Sequence, residues 1–175
     1  MLNKGRTAPD FALPGVEGGE PALYELFRPI EDGELVLLWF LPATFLPTGT
    51  AELRAITEAG WHDCAGLQVW VLTMDSIYAA ATYADQHEFP MAFLGDAASA
   101  ASYYDVEYDE WEGHYGVPKR AVFLVGTDWT IEFARAIGDA FERSDPSPVN
   151  QVAASIEERV PGAEPPPAVE YSRER

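Results

Sequence analysis

Two apolar runs that do not alternate with polar residues, LVLLWF at 35–40 and LQVWVLT at 67–73, most constrain the fold of this chain. Such runs are typical of strands that are buried on both faces. The segment between them, TGTAELRAITEA, predicts a helix over 48–59 with Thr48 or Thr50 as its N-cap. A strand, a helix and a strand in this order predict two adjacent parallel strands in an α/β protein.

The other segments extend this unit. APDFALPGVEGGEPALYELF predicts a hairpin or loop with one helical turn, SIYAAATYADQHEF a helix, and MAFLGDAASAASYYDV a short strand and a small-residue helix. VPKRAVFLVGTDWTIEFARAI predicts two antiparallel strands, and PSPVNQVAASIEERV predicts a final helix. The order predicts a thioredoxin-like three-layer sandwich: a mixed sheet, parallel at its centre and antiparallel at one edge, flanked by helices.

The length of 175 residues fits one domain, which we place at 1–160. The remaining segment, 161–175, reads PGAEPPPAVEYSRER and is a Pro-rich charged C-terminal tail. Its composition predicts a disordered or loosely docked segment.

The charge balance excludes one class of partner. Eleven basic residues against 29 acidic ones give a formal charge of -18, which would repel phosphate backbones and argues against nucleic acid. Either the surface is adapted to a salty cytoplasm or the protein has a basic partner. The acids are spread along the chain, which favours the halophilic interpretation.

The hydropathy pattern predicts a cytoplasmic protein with no membrane partner. The longest apolar stretch, LVLLWFLPA, is far shorter than the roughly 18 to 20 residues that cross a bilayer. The N-terminus MLNKGRTAPDF has no apolar core of a secretory signal.

Four ordered segments resemble peroxiredoxins of the alkyl hydroperoxide reductase and thiol-specific antioxidant (AhpC/TSA) superfamily: APDFAL, LLWFLPATFLPTGTAEL, FPMAFLGDAASAASYYDV and GVPKRAVFLVGTDWTI. The resemblance runs from about Gly5 to Val160. It implies a thioredoxin-like fold and descent from antioxidant oxidoreductases that use a thiol.

The active-site loop of that family reads Pro-x-x-x-Thr-x-x-Cys. The resemblance, taken without a gap, puts Pro42 on the proline, Leu46 on the threonine and Gly49 on the peroxidatic cysteine. Arg120 matches the family's active-site arginine. The resemblance therefore implies a vestigial site without its nucleophile and threonine.

Arg120 has two interpretations. It is a surface or edge-strand arginine paired with one of many acids, or it is an anion-binding group left in the old pocket.

The only cysteine, Cys64, excludes an intramolecular disulfide and a multi-cysteine zinc site. It lies about 15 residues after Gly49, or roughly 20 Å along a helix, at the opposite end from the vestigial site. Cys64 is either a half-buried apolar residue or a thiol with an intermolecular or redox role. The neighbouring His62 would lower its pKa.

Other candidate groups are scattered. The histidines, His62, His87 and His114, fall on separate elements, so we predict neither a metal site nor a cofactor. The aromatic and acidic run from Tyr103 to Tyr115 either packs over the core edge or forms an exposed partner surface.

The sequence supports two hypotheses about function. The first is an inactive peroxiredoxin homologue that acts as a binding or structural module, with a homodimer, a protein partner or a small ligand at the vestigial pocket. The alternative is a thiol-dependent antioxidant oxidoreductase that uses Cys64 and a partner thiol.

Overall fold

The structure of the protein, a computed structural model, describes residues 1–171. Its strands are β1 (Ala12–Glu17), β2 (Glu20–Glu25), β3 (Leu35–Leu41), β4 (Leu67–Thr73), β5 (Ala92–Leu94), β6 (Arg120–Val125) and β7 (Ile131–Ile137). Its helices are α1 (Phe27–Glu31), α2 (Pro47–Glu58), α3 (Ile77–His87), α4 (Ala98–Tyr103) and α5 (Pro148–Arg159), with a 3-10 turn at Trp61–Asp63.

The strands form one mixed sheet in the order β2-β1-β5-β4-β3-β6-β7. The strand pair β3 and β4 is parallel and adjacent, with Leu35 opposite Leu67 and Leu41 opposite Thr73, as predicted. The pair β4 and β5 is also parallel, and β3 pairs with β6 in the antiparallel sense. Antiparallel pairs lie at both edges of the sheet and not at one, because the N-terminal hairpin joins it through β5.

Both faces of the central strands are covered, which explains why their sequences do not alternate. Trp39 and Val71 point into the layer formed by α2, α3 and α5. Phe40 and Leu72 point into the opposite layer, which contains α1, α4 and the segment before β1. The fold is therefore the predicted three-layer α/β sandwich.

Helix α2 begins without a side-chain cap. Leu46 is the N-cap residue with extended backbone, and Pro47 occupies the first helical position, where a missing N-H costs no hydrogen bond. The predicted capping by Thr48 or Thr50 is wrong. Thr48 Oγ1 donates to the carbonyl of Ala140 at 2.6 Å, and Thr50 Oγ1 donates to that of Leu46 at 2.9 Å.

The C-terminal tail is docked as far as Tyr171. Ala163 and Val169 pack against the core layer that contains α2 and α5. Trp61 Nε1 donates to the carbonyl of Glu164 at 2.9 Å. These contacts contradict the disordered alternative for 161–171 and agree with a docked segment, while 172–175 lie outside the described residues. The domain limit at residue 160 stays a prediction.

Candidate functional site

The loop after β3 and the first turn of α2 carry the three residues that align with the peroxidatic motif. Pro42 is buried directly after β3, Leu46 is half-buried at the N-cap, and Gly49 is buried in the first turn of α2. Phe45 turns the loop with a positive φ of 64° and is 50% exposed. The backbone thus presents residue 49 at a helix N-terminus, where a thiolate would be stabilised.

The space beside Gly49 is filled by a neighbouring side chain. A Cβ atom at this position would lie 2.8 Å from Leu41 Cδ2 and 3.2 Å from Leu41 Cδ1. The last residue of β3 therefore occupies the volume into which a side chain at residue 49 would project.

Arg120 is buried, with 1% of its surface exposed, on β6 between β3 and β7. This position excludes the surface or edge-strand interpretation. Its guanidinium donates to the carbonyls of Ala140 at 2.8 Å and Glu142 at 2.6 Å. Because Thr48 donates to the same Ala140 carbonyl, the loop after β7 joins Arg120 to the first turn of α2.

Glu52 is the counter-ion of Arg120. Its Oε1 lies 3.2 Å from Arg120 Nε, and the carboxylate is fully buried. Burial raises the pKa of Glu52 to about 7, while Arg120, Tyr171 and Trp39 act in the opposite direction. Tyr171 OH donates to the same oxygen at 2.9 Å, so the tail closes over the pair.

The pair is not saturated with hydrogen bonds. Among the described residues, Glu52 Oε2, Arg120 Nε and Trp39 Nε1 have no hydrogen-bond partner. The contact between Arg120 Nε and Glu52 Oε1 is close, but its geometry is not that of a hydrogen bond. An otherwise apolar layer therefore contains a polar cluster, formed by Trp39, Glu52, Arg120 and Tyr171.

Sequence analysis did not assign Glu52 or Tyr171 to the site. A signal for Glu52 was available, since it lies three residues after Gly49 and shares its side of the helix. No local signal identified Tyr171, because it reaches Glu52 across 119 positions of the chain.

Cys64 lies beyond the 3-10 turn that follows α2, away from the first turn of that helix. Its thiol is half-buried and faces the carbonyl of Gly60 at 3.6 Å. Burial raises the pKa of Cys64, and the charges of Asp63 and Glu164 raise it further. The expected lowering of the Cys64 pKa by His62 is therefore wrong, because burial and, secondarily, the two acids favour the neutral thiol.

The aromatic run from Tyr103 to Tyr115 contains both buried and exposed side chains, so each interpretation holds for part of it. Tyr104 is fully buried in the core, whereas Tyr103 and Tyr115 are 55% and 73% exposed. Tyr108 and Trp111 stack on each other with ring centroids 6.3 Å apart.

No group of three or more His, Cys, Asp or Glu side chains in residues 1–171 could hold a metal ion. None of the helices in this range has the length and hydropathy needed to cross a membrane.

Comparisons with known proteins agree with this architecture. A family model described as AhpC/TSA family matches residues 4–134. Among curated proteins, no match was found.

Solved structures share the fold. AhpC of Mycobacterium tuberculosis is 18% identical, with a TM-score of 0.73 over 90% of this chain and 98% of that one. AhpC of Enterococcus faecalis is 21% identical, with a TM-score of 0.72 over 91% and 96%. Peroxidoxin BcpB from Mycobacterium tuberculosis is 23% identical, with a TM-score of 0.65 over 78% and 86%. With three quarters of its length matched by the family model and this thioredoxin-like sheet, the chain belongs to the AhpC/TSA family.

Proposed function

We propose that this chain is a peroxiredoxin-like protein without peroxidase activity that serves as a binding or structural module. The observation that carries the proposal is Gly49 in the first turn of α2. Peroxide reduction requires a soft nucleophile that becomes a sulfenic acid, and glycine has no side chain. The adjacent volume is filled by the apolar side chain of Leu41, which supplies no nucleophile.

The other residues of the vestigial site serve structural roles in this proposal. Arg120 is buried beside Glu52, and its guanidinium donates to two loop carbonyls, which supports a structural role for this residue. Leu46 has no hydroxyl that could orient such an oxygen. Pro42 completes the turn from β3 into the loop.

Cys64 is a poor replacement for the missing nucleophile. Its raised pKa reduces the thiolate fraction near neutral pH, and only the thiolate attacks peroxide. The alternative function, a thiol-dependent oxidoreductase that uses Cys64 and a partner thiol, lacks an activated thiol on this account. A homodimer, a ligand at the vestigial pocket and a cytoplasmic location stay predictions.

Peroxide consumption tests the proposal. With and without an added dithiol, we expect the wild-type chain to consume hydrogen peroxide no faster than a free exposed thiol does, and the Cys64→Ser variant to consume none. Turnover that survives Cys64→Ser would contradict the proposal. Turnover that is catalytic in the wild type and abolished by Cys64→Ser would favour the alternative.

A further inference from the structure

In the docked tail, every third residue from 163 to 169 is half-buried. Ala163, Pro166 and Val169 are half-buried, and the residues between them are exposed. A polyproline II helix has three residues per turn, so one face of such a helix carries every third residue. Prolines at 161 and 165–167 favour this conformation.

Two side chains of the domain donate hydrogen bonds to backbone carbonyls of the tail. Trp61 Nε1 donates to the carbonyl of Glu164 at 2.9 Å, and Asn150 Nδ2 donates to that of Pro167 at 3.1 Å. These two carbonyls are three residues apart, which is again one turn of polyproline II. Because this helix has no internal hydrogen bonds, its carbonyls are free to accept such donors.

A further contact of the tail lies beyond this repeat, at Tyr171. Tyr171 is half-buried, and its hydroxyl donates to the fully buried carboxylate of Glu52 at 2.9 Å. Trp61, which supplies the first donor, is fully buried with the tail in place. Asn150 is half-buried in the first turn of α5, where its Oδ1 accepts from Ser147 Oγ at 2.7 Å, so its own helix helps to position it.

We propose that Trp61, Asn150 and Glu52 form a recognition groove for Pro-rich segments, and that a partner protein's segment of the same chemistry as 163–171 displaces the tail from it. Side-chain N-H groups aimed at the carbonyls of an extended, pre-ordered helix are a general mode of peptide recognition. The partner segment needs small apolar residues at every third position and a tyrosine two residues after the last of them. This inference does not depend on the loss of peroxidase activity.

A cavity adjoins the exposed side of the tail. A cavity of about 400 Å³ lies between α2 and the tail, bounded by Arg54, His87, Pro167, Ala168 and Glu170. A partner segment with a larger side chain at the position of Ala168 therefore has room that the chain's own tail does not use.

The test uses the full chain with Val169→Asp, which puts a charge on the inward face of the tail. The five tryptophans give five indole N-H signals in a nitrogen-15 correlation spectrum, and Trp61→Phe identifies the signal of Trp61. We expect Val169→Asp to shift that signal and the signal of Trp39, whose indole belongs to the cluster that Tyr171 closes, and to leave the other three in place. The matched control, Ala168→Asp, adds the same charge at an exposed position and should leave all five unchanged.

An unlabelled peptide of sequence PGAEPPPAVEY is then added to the Val169→Asp chain. We expect the Trp61 signal to return to its wild-type position in a saturable titration, and a peptide carrying Val169→Asp to have no effect. The wild-type chain should need at least tenfold more peptide, because its own tail competes at a high effective concentration.

Three outcomes would overturn the proposal: an unshifted Trp61 signal in Val169→Asp, a shifted signal that millimolar peptide does not restore, or a wild-type dimer that Val169→Asp dissociates. The last would assign the groove to the tail of a second copy. If Val169→Asp displaces all five signals, Ala163→Asp releases the tail at its other end and is read in the same way.

Discussion

At the scale of single residues, the pair of Glu52 and Arg120 illustrates why a buried ion pair contributes little to the free energy of unfolding. Removing both charges from water is costly, and their mutual attraction offsets that cost only when the remaining polar atoms are also bonded. Here Glu52 Oε2 and Arg120 Nε are left without hydrogen bonds among the described residues. The carboxylate therefore binds a proton more readily than an exposed one.

This proton affinity makes the stability depend on pH. Burial raises the pKa of Glu52 from an ordinary value of 4.5 to about 7, so over this interval the folded state holds a proton that the unfolded state has released. The contribution of Glu52 is therefore most favourable below pH 4.5, falls as pH rises, and is constant above 7. At about 1.4 kcal/mol per tenfold change in proton affinity, the fall is about 3 kcal/mol.

Glu52→Gln should remove this part of the pH dependence. Denaturant unfolding between pH 4.5 and 8 measures it as the difference in unfolding free energy between the wild type and the variant. Glu58→Gln, an exposed position on the same helix, should leave the dependence unchanged. Equal pH dependence in the wild type and Glu52→Gln would show that the carboxylate is ionised throughout.

At the scale of elements, the unit of β3, the loop and α2 was predictable where the signal was local. Continuous apolar runs predicted buried parallel strands, and the motif spacing predicted residue 49 at the start of a helix. The burial of Arg120 was not predictable, because its partners come from α2 and from the loop after β7. The contacts of the docked tail were not predicted for a different reason: its composition is typical of disorder, and only the three-residue spacing of small apolar residues indicates a packed face.

Gly49→Ala tests the packing of this unit. In a helix interior this change normally stabilises by up to about 1 kcal/mol, but the new Cβ would lie 2.8 Å from Leu41 Cδ2. Overpacking costs about 1 to 3 kcal/mol, so we expect a net destabilisation of about 1 kcal/mol.

Combining the change with Leu41→Val should relieve the contact. Unfolding free energies of both single variants and the double variant form a cycle, and we expect a favourable coupling of at least about 1 kcal/mol. Additive effects would mean that Leu41 moves aside without cost. We also expect Leu41→Val to be needed before the double substitution of Gly49→Cys with Leu46→Thr yields a reactive thiol.

At the scale of the whole molecule, the dominant property is charge. The formal charge is -18, and Glu52 is the only carboxylate in the buried set of residues 1–171. The other acids of this range are therefore at or near the surface, where they repel one another and where salt screens them.

We expect the melting temperature to fall when the protein is dialysed into dilute buffer and to rise again in molar potassium chloride. Sucrose at matched viscosity serves as a control that adds no ions. A melting temperature that is the same in dilute buffer and in molar salt would rule out the halophilic interpretation.

The contact between Leu41 and Gly49 also has a consequence for the evolution of this loop. Under the proposed function, we expect a descendant that acquired cysteine at residue 49 first to be less stable before any catalysis appeared. We expect the cysteine to be tolerated more readily after residue 41 has become smaller. On that proposal, one apolar contact makes the gain of a nucleophile depend on the order in which two substitutions occur.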